Sequence, residues 1–170
     1  SYAQVRGISH RVGRALQRSG IRPGDKVAVL ASNDAIAFAC VFGISRAGAV
    51  WCPINPRNEA SENRFVLDAF DCACLIFHSN YAPMVEQIRA ECPKLTTLVC
   101  LDKALPFAPS WAQWVEGASD ELLGVEPADD LAMIARGRTV VLTPHAGEFR
   151  TLFPELSAQR ETDPWGAASE

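Results

Sequence analysis

The feature that most constrains this chain is an alternation of short apolar runs with longer stretches of helical spacing, repeated from Lys26 to Leu101. Residues 26–30, 50–53, 74–77 and 95–101 read as strands, and helical patterns fill the intervals at about 34–47, 59–70 and 84–90. Strands that take turns with helices in this way predict βαβ units and a mostly parallel sheet flanked by helices. The fold class expected is therefore α/β.

Local signals set the bounds. Val5, Ile8, Val12, Ala15 and Leu16 keep one face of a first helix, with the arginines and Gln17 opposite. Gly20 ends that helix as a left-handed cap requires. The run Arg22-Pro-Gly-Asp25 is a turn, with proline fixing one dihedral and glycine supplying the unusual one. Ser32 or Asn33 is expected to cap the second helix, which carries Phe38, Val41, Phe42 and Ile44 and stops at Gly48. Pro53 cuts off the second strand. The third helix carries Phe65, Leu67 and Phe70. Residues 106–127 lapse into a loop holding Trp111 and Trp114, followed by strands at 131–134 and 140–142 and a helix near 149–153.

With 170 residues, 48% of them hydrophobic and 21% charged, the chain has the composition of one ordinary globular domain. A net charge of −4 gives no reason to expect nucleic acid as a partner, and no apolar run is long enough to span a membrane. Charge is nonetheless uneven. Arg6, Arg11, Arg14, Arg18 and Arg22 occupy residues 1–24 without an acid, and residues 104–135 hold six acids without a base. The basic helix is expected to present a solvated face rather than a membrane-binding one. Six cysteines, 40, 52, 72, 74, 92 and 100, lie in apolar surroundings. Cys72 and Cys74 stand two apart, which on a regular strand puts both thiols on one side and suggests a metal pair. With no second pair or histidine cluster, reduced core thiols in a cytoplasmic protein are the expectation. The chain opens on Ser rather than Met, and a piece of something longer is expected.

Several ordered motifs carry a resemblance. Ser1-Tyr-Ala-Gln-Val5, Gly20-Ile-Arg-Pro-Gly-Asp-Lys-Val-Ala-Val-Leu30, Ser32-Asn33, Arg46-Ala-Gly-Ala-Val-Trp-Cys-Pro-Ile-Asn-Pro56 and Asp129-Asp130-Leu131-Ala-Met-Ile134 follow one another. Together they resemble the N-terminal part of the adenylate-forming superfamily, in particular the fatty-acid–CoA ligases. The resemblance covers residues 1–135 and implies a truncated N-terminal adenylation subdomain. In such ligases a carboxylate attacks the α-phosphate of ATP, pyrophosphate leaves, and the thiol of CoA takes the acyl group. ATP, Mg and CoA are thus the implied cofactors, and a fatty acid the implied substrate. Charge on the phosphates calls for backbone N–H donors, hydroxyls and a lysine. The family supplies these in a Ser/Thr/Gly-rich loop right after the strand that 131–134 resembles. Here Ala135-Arg-Gly-Arg-Thr139 follows instead, and no lysine occurs after Lys103. By itself the chain is therefore expected to hold no cofactor, to contain no catalytic residue or metal ligand, and to lack activity.

The tail reads differently. Gly137-Arg-Thr-Val-Val-Leu-Thr-Pro-His-Ala-Gly-Glu-Phe149 resembles the signature of the ADP- or ATP-dependent NAD(P)H-hydrate dehydratases, enzymes of ribokinase-like fold. Residues 136–170 would then be a short α/β appendage. His145 and Glu148, at the carboxyl end of a strand, would be its candidate contacts to the nucleotide or the hydrated cofactor. A ligase that has lost its phosphate loop would account for 139–145 but not for 146–149 or 163–166, so a joined segment is the expectation. The alternatives to a silent ligase piece are a hydro-lyase fragment and a non-catalytic module that binds partners or itself through unfinished sheet edges.

Overall fold

The computed structural model describes residues 2–121, all within the first of two compact units into which the chain divides, Ser1–Gly124. These residues form a three-layer α/β/α sandwich. Its elements are α1 (Tyr2–Arg18), β1 (Lys26–Leu30), α2 (Ala35–Arg46), β2 (Val50–Pro53), α3 (Ala60–Ala69), β3 (Cys72–Phe77), α4 (Ala82–Ile88), β4 (Thr97–Cys100) and a single turn, α5 (Trp111–Trp114). The four strands are parallel throughout, in the order β2-β1-β3-β4. The strands expected at 131–134 and 140–142, and the helix at 149–153, lie outside the described residues.

Alternation along the strands divides the core in two. Ala28, Leu30, Leu75 and Phe77 pack with Leu67 of α3 and Val85 and Ile88 of α4. Val27, Ile76 and Val99 face the other way, onto Val12, Ala15 and Leu16 of α1, Cys40 and Ile44 of α2, and Val115. The central strand β3 is buried on both faces, as parallel strands between helical layers are.

The two cysteines two apart do not share a side. Lys26 pairs with Cys72 and the next residue, Val27, with Cys74, so Ala73 is an extra residue in β3. The bulge shifts the pleat by one. Cys72 therefore enters the α3/α4 core and Cys74 the α1/α2 core. That geometry removes the metal pair the spacing suggested. Among the described residues no group of three or more His, Cys, Asp or Glu is placed to hold a metal.

Three further expectations need correction. The cap of α2 is Asp34, not Ser32 or Asn33; its carboxylate accepts the Ala37 N–H at 2.7 Å. The loop expected from residue 106 holds one helical turn, α5, and is otherwise non-helical as far as Glu121. Ser110 and Gln113 form a reciprocal capping box at the start of α5, and Val115 is buried. Nor is the basic face of α1 merely solvated. Arg18 donates to the carbonyls of Trp114 (2.9 Å) and Glu116 (3.1 Å), and Arg14 to that of Glu121 (3.3 Å). The end of α1 is as expected: Ile21 N–H bonds Leu16 O and Gly20 N–H bonds Gln17 O, with Gly20 at φ +82°.

Candidate functional site

Open parallel sheets bind ligands outside the carboxyl ends of their strands, at the point where strand order reverses. Here that point lies between β1 and β3, because the chain moves outward from β1 to β2 and then returns to the other side. The residues leaving β1, β3 and β4 meet there. His78 N–H bonds Leu30 O at 3.1 Å and Leu101 N–H bonds Phe77 O at 2.8 Å, holding the three strand exits level.

Side chains then join across the gap. The Ser32 and Tyr81 hydroxyls are 2.9 Å apart and hydrogen-bonded, bridging the β1 and β3 exits. Asp102, just past β4, accepts the Ser79 N–H at 2.9 Å on one oxygen and the Ser79 hydroxyl at 2.7 Å on the other. The Cys100 thiol reaches the same carboxylate at 3.4 Å. His78 accepts the Asn80 N–H through Nδ1 at 3.3 Å and turns Nε2 toward Asp102 at 3.9 Å.

Desolvation works to raise the Asp102 pKa. The two Ser79 hydrogen bonds, the Cys100 thiol and His78 outweigh it and hold the carboxyl at about 2. Asp102 is thus an anion whose lone pairs are largely taken by its own chain. Serine, histidine and aspartate are together, but the serine hydroxyl bonds the carboxylate and not the imidazole, so no base is set to activate it. The cluster positions loops; it is not built as a nucleophilic centre.

Of these residues only two stood out in the sequence, Ser32 as a helix cap and part of the Ser32-Asn33 motif, and Cys100 as one of six core thiols. The signal that could have found them is their position just beyond three strands of one parallel sheet. Two stretches of the motifs that did stand out lie at the opposite edge. Gly24 N–H bonds Gly48 O and Val50 N–H bonds Asp25 O, both at 2.8 Å, so the Pro-Gly-Asp turn and the Ala-Gly-Ala crossover hold each other at the strand entrances. Gly48 has φ +70°, and a Cβ there would stand 3.2 Å from Pro23. Its role is close approach in a left-handed turn. His145 and Glu148 lie outside the described residues.

Comparison with known proteins agrees with this arrangement. The family model for the AMP-binding enzyme matches residues 1–136. Long-chain-fatty-acid–CoA ligase FadD13 of Mycobacterium tuberculosis is 37% identical over 92 residues, covering 54% of this chain and 18% of that protein. Crotonobetaine/carnitine–CoA ligase of Escherichia coli is 33% identical over 107 residues, covering 62% and 21%. The chain thus spans about a fifth of the length of these curated relatives. Among solved structures, the inhibitor-bound N-terminal domain of FACL13 from Mycobacterium tuberculosis superposes with a TM-score of 0.67 at 29% identity, covering 74% of this chain and 31% of that one. Anthranilate CoA ligase AuaEII with anthranoyl-AMP gives 0.65 at 29%, covering 72% and 23%. With a family match over four-fifths of its length and a parallel sheet in common with these ligases, the chain belongs to the AMP-binding enzyme family.

Proposed function

We propose that residues 1–135 are the opening part of an acyl–CoA-ligase-type adenylation domain, and that this chain alone supplies scaffold rather than catalysis. The observation that carries this is the state of the carboxyl edge. Among the described residues there, Ser32 pairs with Tyr81, and Ser79 and His78 turn to Asp102, and these side chains offer no cationic cradle for a triphosphate. The sequence after residue 134 adds to it, with Ala135-Arg-Gly-Arg-Thr139 in place of the expected hydroxyl- and glycine-rich loop. In a complete ligase of this type, ATP with Mg and CoA would act on a carboxylic acid, and the printed names of the relatives make a fatty acid the first substrate to try. The test is ATP–pyrophosphate exchange by the full chain with medium- and long-chain acids. No acid-dependent exchange above background is expected, and clear exchange would overturn the reading.

The family match stops at residue 136, which supports a boundary near Ala135. The hydratase-like identity of 136–170, with His145 and Glu148 as cofactor contacts, rests on the sequence resemblance alone. Recovery of reduced-nicotinamide absorbance from hydrated cofactor with ADP or ATP tests it, and no recovery would dismiss it.

Self-association belongs to the same proposal, through helix faces rather than a strand edge. Val50 and Ile54 donate their N–H groups to β1, so Trp51 and Pro53 face outward along β2, and proline has no N–H to offer. The outer side of α2, by contrast, exposes Phe38 and Phe42 in edge-to-face contact.

A further inference from the structure

We propose that self-association takes one form: an antiparallel pair of α2 helices, one from each of two copies of this chain, related by a twofold axis at the level of residue 40. The inference rests on the reading that the chain self-associates through α2, and adds to it the geometry of the pair.

The spacing of the exposed residues is its first ground. Ala35, Phe38, Phe42 and Ser45 are the four exposed positions of α2. Their intervals of three, four and three are those of a coiled-coil seam, a narrow stripe that a second helix can follow at a shallow crossing angle. Cys40 and Ile44 point the other way, into the core shared with α1. The stripe is symmetrical about residue 40. In an antiparallel pair centred there, Phe38 lies opposite Phe42 of the second copy, and Ala35 opposite Ser45. Each ring then meets a ring and each small side chain a small one. Phe38 and Phe42 already meet edge to face within one copy, centroids 5.2 Å apart, so the rings of both copies would gather at the axis.

Charge selects the direction. The helix begins on Asp34 and ends on Arg46, both half-buried and flanking the stripe. Antiparallel pairing brings Asp34 of each copy to the level of Arg46 of the other, and sets the positive end of one helix dipole beside the negative end of the next. Parallel pairing would oppose Asp34 with Asp34 and Arg46 with Arg46, with the dipoles aligned. Four residues along a helix about 18 Å long cover far less than the ~800 Å² per partner of a stable complex. The pair should therefore be weak and form only at raised concentration.

Cross-linking of the full chain tests this. Ala35→Cys and Ser45→Cys each place one accessible thiol at an end of the stripe, outside both cores, while the six native cysteines are buried. The two variants, one carrying a size tag, are mixed at a concentration where the unaltered chain associates and treated with a short bifunctional maleimide. Antiparallel pairing puts residue 35 beside residue 45 of the other copy and holds like positions about 15 Å apart. The mixed product should exceed the two same-variant products combined several-fold, where random collision gives equality. Adding Phe38→Lys/Phe42→Lys to both variants should remove the excess. Equality, a majority of same-variant products, no cross-link between associated chains, or an excess that survives the lysines would each overturn the antiparallel pair while leaving self-association in place. An unaltered chain that elutes as a monomer at every concentration would instead remove the self-association reading, and this inference with it.

Discussion

Gly43 of α2 lies against Val12 of α1 so closely that a Cβ on the glycine would stand 2.5 Å from Val12 Cβ and 2.9 Å from the carbonyl oxygen of Ser9. This contact sets the approach of the two helices covering one face of the sheet. Alanine normally gains about 1 kcal/mol over glycine inside a helix. Overpacking of a tight core typically costs about 1–3 kcal/mol, and here one of the obstructing atoms is backbone, which no rotamer change can move aside. The second effect should win. Gly43→Ala is expected to lose about 1–2 kcal/mol in urea unfolding. An unchanged or raised midpoint would show that the helices separate at little cost.

The Ser79–Asp102 pair ties the exits of β3 and β4, so its loss should be felt both in stability and in the acid limb. Ser79→Ala removes one of the two bonds Ser79 makes to the carboxylate and should cost about 1 kcal/mol at neutral pH. Because the folded-state pKa of Asp102 is lowered from 3.8 to about 2, its contribution is present above pH 3.8 and drains away as pH falls toward 2. Asp102→Asn should therefore flatten the stability profile between those values. A profile that keeps its slope in the variant would assign the acid limb to other carboxyls.

Much of the architecture was legible because burial and local chemistry agreed. Residues 26–30 are a strand as bounded, and Gly20, Gly24 and Gly48 take the positive φ their turns require. Misreadings arose where one residue shifted the outcome. Ser32, Asn33 and Asp34 are all competent caps, and only the reach to the Ala37 N–H selects Asp34. The Ala73 bulge depends on pairing with β1 and leaves no mark in the spacing of its own strand. The Ser110–Gln113 capping box opens only one helical turn, too short to show as a periodic pattern within the stretch read as a loop. The carboxyl-edge cluster was hidden for a different reason: Ser32, Ser79 and Asp102 are far apart in sequence, and strand order alone brings them together.

All six cysteines are free and buried. Burial pushes the Cys40 thiol up to about 12, raises Cys74 further, and with the Cys52 neighbour takes Cys72 to about 12. Thiolate is the reactive form, so both access and ionisation oppose modification. A disulfide reagent at pH 8 should label fewer than about one thiol rapidly in the native protein and all six in denaturant. Rapid native labelling of two or more would mean that one of the two cores opens on the time scale of the experiment.

The outer face of α2 presents Ala35, Phe38, Phe42 and Ser45 without a charged group, whereas the exposed sides of α1 and α3 carry several. Phe38 is 64% exposed and Phe42 43%, and Trp51 on the adjoining edge strand is 46% exposed. Exposed aromatic surface of this kind favours association. The blunted β2 edge makes helix faces the better route than strand addition. Elution volume in size exclusion should therefore shift with protein concentration. The double variant Phe38→Lys/Phe42→Lys should elute as a monomer at every concentration with its far-ultraviolet dichroism unchanged, since neither ring belongs to either core cluster. If the unaltered chain elutes as a monomer at all concentrations, the exposed rings do not drive association. If the double variant still associates, the contact runs through other exposed apolar residues, such as Trp51, Phe65 or Phe70.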